Sequence, residues 1–190
     1  MIDWMVEVCQ VFGCSRKTYF MAQELFDKFL ALSHLKLRNG LKDTEVHLIG
    51  TAAMYLASKY EDVMPLSSKV VSEKIAHGCF AREQVLEMEA KLLNLFDFDL
   101  HFLSLYDVLE AFVGAIEHNF QSIEEKALLG ELEEVTEYLL KMQLQSTEFL
   151  AFSHSHLVLS CLFSSVSILK SAKKEKLCEK TIDKFNKSLI

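Results

Sequence analysis

The residue types that commonly catalyse reactions or bind metals are scattered along this sequence and form no compact motif. Five cysteines and seven histidines occur among 190 residues. His154 and His156 are two positions apart, which on a helix directs them to different faces, so they cannot chelate one metal as an i, i+4 pair would. Cys9 and Cys14 have no second cysteine or histidine pair to complete a zinc site. The sequence therefore predicts no metal site and no cofactor.

Motifs of the common enzyme classes are also absent. The sequence contains no GxxxxGK[ST], GxGxxG, GxSxG or HExxH segment, so nothing supports a phosphate loop, a dinucleotide site, a hydrolase nucleophile or a zincin helix. No cysteine and histidine are selected as a catalytic pair. The net charge of −7 and the pI near 5.5 argue against a grip on a phosphate backbone, since domains that bind one usually display a basic face. Protein binding is the favoured class of function.

The most unusual charged residues follow an uncharged helix. Residues 48–57 contain no charged side chain and are apolar or small in every direction around a helical repeat, which predicts a helix enclosed by others. A charged cluster comes directly after it and precedes Pro65: Lys59, Tyr60, Glu61 and Asp62. Glu89 lies in the middle of a second predicted helix. From the residues alone, Lys59 and Glu89 either reach solvent from a polar face or recognise a partner.

The elements that must position these residues are all helical. Six glycines and one proline in 190 residues predict helices joined by short loops. We expect two domains, residues 1–100 and 101–190, with five helices in the first and about one helix fewer in the second. The predicted helices are 1–12, 16–34, 44–62, 67–76 and 80–95, then 104–118, 122–144, 149–169 and 175–188. Asp43 or Thr44 is expected to cap the third of them, and Ser122 with Glu125 is expected to form a capping box at the start of the helix 122–144.

The uncharged segment 149–169 is long enough to span a bilayer. It also contains six serines and two histidines, which favour the central helix of a soluble bundle. The odd number of scattered cysteines is typical of reduced thiols in an intracellular protein. No secretory signal is evident at the N-terminus.

Four segments in order resemble the conserved helices of a cyclin of the cell-cycle type. These are DWMVEVCQVF, AQELFDKFL, LIGTAAMYLASKYED and QVLEMEAKLLNLFDFDL, between Met1 and Leu100. The second half is similar only in its helix count and its uncharged central helix. The resemblance implies an all-α fold of two stacked cyclin boxes, the second one shortened. It also implies a regulatory subunit, without enzymatic activity of its own, that binds and activates a cyclin-dependent serine/threonine kinase.

The resemblance also implies two binding surfaces. Lys59 and Glu89 match residues that contact the kinase's regulatory helix and its flanking backbone, and Phe98 and Leu100 match apolar residues that receive that helix. The full set of implied kinase-binding residues is Lys59, Tyr60, Glu61, Asp62, Glu89, Phe98 and Leu100. A hydrophobic patch for short substrate or inhibitor motifs is implied at Met1, Trp4, Glu7, Val46 and His47.

This chain departs from the family pattern near that patch. The usual Met-Arg-x-x-Leu opening would fall before Met1, and Asp27 matches an aspartate that normally pairs with its arginine. His47 stands where glutamine is common, and the connection 35–44 is longer than usual.

Two other functions remain alternatives at this stage, namely a cyclin-fold transcription factor and a cyclin-box scaffold that binds without activating. The partners expected are a cyclin-dependent kinase and its substrates or inhibitors, with no nucleic acid and no membrane. The expected location is the nucleus and cytoplasm.

Overall fold

The computed structural model describes residues 1–34 and 42–173 of the chain, and over these residues every regular element is helical. The all-α prediction is therefore confirmed. The chain divides into two compact units, Met1–Ser104 and Leu105–Ile190. Most of the predicted 35–44 connection and the whole predicted helix 175–188 lie outside the described residues.

The first unit contains five helical segments in the predicted order. Helix α1 is Ile2–Phe12, α2 is Arg16–His34 and α3 is Asp43–Glu61. The short helix α4, Ser68–Val70, continues into a π-helical turn, Val71–Ile75, and α5 is Arg82–Leu95. Helix α3 lies at the centre, because it packs against α2, α5 and the π-helical turn.

Helix α3 has the enclosed character that its sequence predicts. Every residue from 51 to 58 is buried, and Ala52, Ala53 and Ala57 are fully inaccessible. Gly50 admits the Met1 side chain, since a Cβ at this position would lie 2.6 Å from Met1 Sδ. Small side chains thus let neighbouring groups approach the backbone of α3 closely.

Two helix starts in the first unit differ from the prediction. Helix α3 begins at Asp43 with Lys42 as its N-cap residue, so the prediction of a cap at Asp43 or Thr44 was wrong. The Glu45 carboxylate accepts a 2.9 Å hydrogen bond from Lys42 N and thereby satisfies the first backbone group of the helix. Helix α5 begins at Arg82 because the Gln84 side-chain oxygen accepts a 2.8 Å hydrogen bond from Ala81 N, the backbone group just before the helix.

The second unit contains helices α6, Leu105–Glu117, α7, Ile123–Gln143, and α8, His154–Lys173, with a 3-10 turn at Thr147–Ala151. The predicted capping box at the start of α7 is confirmed, since Ser122 Oγ accepts from Glu125 N at 3.1 Å and the Glu125 carboxylate accepts from Ser122 N at 3.3 Å. Thr136 donates a buried hydrogen bond of 3.0 Å to Ser165 and joins α7 to α8.

The predicted helix 149–169 was wrong at its N-terminal end. Its first residues belong to the 3-10 turn, where Ser146 Oγ accepts from Glu148 N. Helix α8 starts after Ser153, whose Oγ accepts from His156 N at 3.5 Å. Two serine caps in quick succession divide what hydropathy alone presents as one segment. Across residues 1–34 and 42–173, no helix is both long and apolar enough to span a membrane.

Candidate protein-binding surface of the first unit

Lys59 and Glu89, which the sequence places thirty residues apart, form an ion pair. Lys59 is in the last turn of α3 and Glu89 is in the middle of α5, and the Lys59 ammonium contacts Glu89 Oε1. The Lys59 side chain is 38% exposed, whereas that of Glu89 is only 8% exposed. Burial of a carboxylate is costly unless a cation compensates it. The pair therefore fixes a charged group at the edge where α3 and α5 meet.

The Lys59 ammonium also lies over an aromatic ring, 4.5 Å from the centroid of Tyr55. This cation–π contact and the ion pair restrict the lysine from two sides. An ammonium group has three donors, and its partial exposure leaves it accessible to an acceptor on another protein. The geometry suits a charge that sets the register of a bound partner.

Exposed apolar side chains lie in the last turn of α3 and directly after it. Val63 is 99% exposed and Met64 is 89% exposed, and Tyr60 is about half exposed. Large apolar side chains held in water commonly mark a surface that another molecule covers. Tyr60 was predicted from the sequence, whereas Val63 and Met64 were not. The sequence feature that could have indicated them is the presence of two apolar residues between a charged cluster and Pro65.

Asp62 is directed towards the start of α2. Its Oδ1 accepts hydrogen bonds from Ser15 N at 2.9 Å and from Thr18 Oγ1 at 2.6 Å. Burial alone would raise the pKa of Asp62, but hydrogen bonds from Thr18, Ser15 and Ser58 outweigh it and lower the pKa below its usual value. Asp62 thus joins the loop after α3 to the N-terminus of α2. Glu61 beside it is partly buried.

The segment after α5 displays an aromatic residue in an unusual conformation. Asp97 and Phe98 have φ values of 52° and 60°, a left-handed region that costs an L-residue about 1–2 kcal/mol. Phe98 is nevertheless 67% exposed, while Leu100 is buried. Phe98 N donates to Leu93 O at 2.8 Å and holds the turn in place. The turn therefore holds an aromatic ring in water directly after α5, where another molecule can reach it.

The predicted docking patch is partly assembled by edge-to-face ring contacts. The Trp4 and His47 ring centroids are 5.0 Å apart, and those of His47 and Phe80 are 5.4 Å apart. Phe80 belongs to this group of rings but was not predicted from the sequence. Met1 packs at Gly50, one turn along α3 from Val46.

The other two patch residues differ in exposure, since Val46 is partly buried and Glu7 is exposed. The pKa of His47 is lowered by burial first, then by His77 and by the N-terminal amine. The neutral imidazole is therefore the favoured form between its two aromatic neighbours.

Asp27 is half-buried on α2 and accepts a hydrogen bond from Gln23. No lysine, arginine or histidine pairs with its carboxylate in the described parts of the chain. Burial raises the pKa of Asp27 to about 6, although the Gln23 hydrogen bond lowers it, and the Glu24 carboxylate adds to the rise.

Within residues 1–34 and 42–173, no three histidine, cysteine or acidic side chains are grouped so as to hold a metal ion. The site consists instead of an ion pair, exposed apolar side chains and an aromatic stack. Such an arrangement can bury apolar surface against a partner while charges fix its orientation.

Comparison with known sequences agrees with this picture. A family model described as "Cyclin, N-terminal domain" matches residues 1–101. The chain is 30% identical over 113 residues to G1/S-specific cyclin-E1 of Mus musculus, covering 60% of this chain and 26% of that protein. It is 27% identical over 181 residues to G2/mitotic-specific cyclin-2 of Medicago sativa, covering 94% and 50%. With Cyclin-A2-2 of Arabidopsis thaliana it shares 30% identity over 165 residues, covering 86% and 35%.

The chain therefore spans between about a quarter and a half of the length of these curated relatives. Among solved structures, a viral cyclin from herpesvirus saimiri superposes with a TM-score of 0.69 at 16% sequence identity. The superposition covers 98% of this chain and 81% of the viral one. This similarity concerns the fold.

Proposed function

Because this chain belongs to the cyclin family, we propose that it is a regulatory subunit that binds and activates a cyclin-dependent serine/threonine kinase. The observation that supports this best is the Lys59–Glu89 pair, which joins α3 to α5 beside the exposed side chains of Val63 and Met64. We define the kinase-facing rim as Lys59, Tyr60, Glu61, Asp62, Val63, Met64, Glu89, Phe98 and Leu100. The chain itself performs no chemistry in this proposal.

Binding draws on two kinds of contact within the rim. Burial of Val63, Met64 and Phe98 against a helix of the kinase supplies about 25 cal/mol for each Å² of apolar surface removed from water. The Lys59 and Glu89 charges accept or donate hydrogen bonds only where the partner's backbone is correctly placed, so they set the register. Apolar contacts thus provide affinity, and the ion pair provides specificity.

Activation follows from the position of the bound helix. The cyclin holds the kinase's regulatory helix inward, so that a glutamate on it pairs with the lysine of the ATP site. The partner's activation segment rearranges as a consequence. No group of this chain reaches the transferred phosphoryl group in this mechanism.

The decisive experiment combines co-purification with a kinase assay. The chain is expressed in its own cells with an affinity tag, the associated kinase is identified, and the activity of that kinase is measured with and without the purified chain. We expect stable association and a large stimulation of phosphoryl transfer. Association without stimulation would support the scaffold alternative, and salt-sensitive binding to promoter DNA would support the transcription-factor alternative.

A matched pair of double variants tests the role of the rim. Lys59→Ala with Glu89→Ala should weaken kinase binding by about tenfold to a hundredfold, as loss of a central charged pair commonly does. The control is Glu137→Ala with Lys141→Ala, which removes a lysine–glutamate pair of comparable burial from α7 and should leave binding unchanged. Circular dichroism establishes that helicity is retained in both.

A third variant avoids any effect on folding. Val63→Asp with Met64→Asp changes only side chains that are almost wholly in water, so its unfolding curve should match that of the wild type. Kinase binding should still fall by at least about tenfold if the rim is covered in the complex. Unaltered binding would place the kinase elsewhere on the chain.

The stack of Trp4, His47 and Phe80 supports a second, separate proposal, namely a docking patch for short substrate or inhibitor motifs. The Trp4 and His47 rings are partly exposed and are held edge to face with the buried Phe80 ring, which suits them to bind apolar side chains of a peptide. Trp4→Ala should raise the KM of the kinase complex for a substrate that carries such a motif. Phosphorylation of a substrate without the motif should be unaffected, which separates docking from kinase binding.

A further inference from the structure

The C-terminal end of α1 brings two cysteines together. Gly13 has a φ of 68°, and Cys14 N donates a 3.1 Å hydrogen bond back to Cys9 O. This six-residue closure has the 6→1 hydrogen bond of the Schellman motif, in which the residue after the left-handed one frequently contacts the residue five positions before it. Cys9 and Cys14 occupy those two positions. Their side chains are therefore adjacent although four residues separate them in the sequence.

The two sulfur atoms interact directly. The Cys9 thiol is within hydrogen-bonding distance of the Cys14 sulfur, and this hydrogen bond is the largest influence on the pKa of Cys14, which is lowered despite opposition from burial and from the nearby Asp62 carboxylate. Both residues are partly exposed and neither is in a disulfide. A sulfur with a lowered pKa beside a second thiol resembles the pair in which one sulfur is oxidised first and the other then forms the disulfide with it.

We propose that Cys9 and Cys14 form a reversible disulfide on exposure to a peroxide, so that the end of α1 is a site of oxidative modification. The proposal does not depend on the chain's binding a kinase. It places the cross-link beside Ser15, the residue whose backbone N–H binds Asp62. Oxidation would therefore act at the junction that joins α1, α2 and the loop after α3.

The reaction balances with hydrogen peroxide as the oxidant. The Cys14 thiolate attacks one peroxide oxygen, the O–O bond breaks, and the departing hydroxide takes a proton to become water. The Cys9 sulfur then attacks the sulfenic acid on Cys14, the S–O bond breaks, and the second water leaves. Two thiols lose two electrons and two protons, and the peroxide is reduced to two water molecules. A dithiol reductant reverses the change by thiol–disulfide exchange.

If solvent exposure alone determined which cysteine is oxidised first, that cysteine would be neither Cys9 nor Cys14. Cys79 is exposed and Cys161 is buried, and burial raises the pKa of Cys161 to about 11. If accessibility decided reactivity, Cys79 would be oxidised first. The paired geometry at the end of α1 instead predicts that Cys9 and Cys14 react first and together, which makes the two explanations distinguishable.

The chain offers a direct readout of this disulfide. Residues 1–16 contain no lysine or arginine before Arg16, so trypsin releases both cysteines in one peptide with no third cysteine. The 190-residue chain is treated with hydrogen peroxide, alkylated, digested and analysed by mass spectrometry. We expect a peptide that is not alkylated and is about 2 Da lighter than the reduced one, the mass of two hydrogen atoms. It should form at least about fivefold faster than the Cys79 thiol is lost.

Two variants identify the roles of the sulfurs. In Cys9→Ser, a sulfenic acid on Cys14 should persist and be trapped by dimedone, because no resolving thiol is present. In Cys79→Ser, the light peptide should form as in the wild type. A peptide that keeps both thiols while Cys79 is oxidised would overturn the proposal, as would a disulfide that joins either cysteine to Cys79. The wild-type measurement decides the matter even if a variant fails to fold.

Discussion

The two units each contain a helix free of charge over most of its length, yet only one of these helices is enclosed. In α3, all residues from 51 to 58 are buried, whereas α8 leaves Phe163 and Ile168 about half exposed. The exposed side of α8 also carries Ser160, Ser164, Ser167 and Ser171. Each of these hydroxyls donates to a backbone carbonyl three or four residues earlier. Serines that satisfy their own hydrogen bonds can occupy either a buried or an exposed face, so the absence of charge did not determine burial.

One lysine–glutamate pair from each unit shows a further difference. Glu137 and Lys141 pair at 2.6 Å within α7 at i, i+4 spacing, while Lys59 and Glu89 join two different helices. The first kind of pair is set by local helix geometry. The second exists only because α3 and α5 pack together. The first unit thus depends on tertiary contacts at its centre and at its edge.

The largest expected effect tests the two uncharged helices directly. Met54→Ala in α3 removes a side chain that is fully buried and should lower the free energy of unfolding by about 2–5 kcal/mol, through lost burial and the cavity left behind. Ile168→Ala in α8 should lower it by less than about 1 kcal/mol, because that side chain already contacts water. Urea denaturation monitored by circular dichroism measures both. Equal losses would show that the two helices are enclosed to the same degree.

The buried carboxylates of these two ion pairs provide the next test. Lys59→Met leaves the Glu89 carboxylate buried without its cation and should lower the free energy of unfolding by about 1–3 kcal/mol, a range reduced because Lys59 is partly exposed. Lys141→Met leaves the Glu137 carboxylate, which is buried to a similar degree, without its cation and should lower the free energy of unfolding by a comparable amount, about 1–3 kcal/mol. Adding Glu89→Gln to Lys59→Met should recover part of the loss. Failure of this recovery would assign the effect of Lys59→Met to lost packing.

Asp27 permits a test that depends on pH. The pKa of this carboxyl is raised from 3.8 to about 6 in the folded chain, so the folded state holds the proton more tightly than the unfolded state. Its contribution to stability is present below about pH 4 and is lost as the pH rises through 6. Asp27→Asn should therefore stabilise the protein by about 1–2 kcal/mol at pH 7. The gain should vanish at pH 3.5, and a gain of equal size at both values would refute burial of the charge as its cause.

The smallest expected effect concerns the aromatic stack. Trp4 is the only tryptophan of the chain, and its ring contacts His47, so protonation of His47 should change the fluorescence of the protein. The pKa of His47 is lowered from 6.5, and the midpoint of this change should therefore lie below pH 6.5. His47→Gln should remove the transition. His156→Gln, at an exposed position in the second unit, should leave it in place.

Local patterns predicted much of the fold. The bounds of α2 and the capping box of α7 were predicted because they depend on side chains within a few residues of one another. The start of α8 was not, since hydropathy does not distinguish a 3-10 turn from the first turn of a helix. The caps at Ser146 and Ser153 decided that boundary.

The candidate site was predicted in part. The sequence singled out Lys59 and Glu89 but could not choose between solvated side chains and a recognition site. It did not indicate that Phe80 would join Trp4 and His47, because their contact depends on how the loop before α5 packs against α1 and α3.

The sequence by itself determined the helical class, the order of the helices in the first unit and the motifs that resemble a cyclin, because each of these follows from composition or from residues close together along the chain. Only the tertiary structure decided that Lys59 and Glu89 pair, that Asp62 binds the start of α2, and that the thiols of Cys9 and Cys14 meet. These contacts depend on distances in space across packed helices or turns. Such distances are set by the balance of burial, hydrogen bonding and charge over the whole unit.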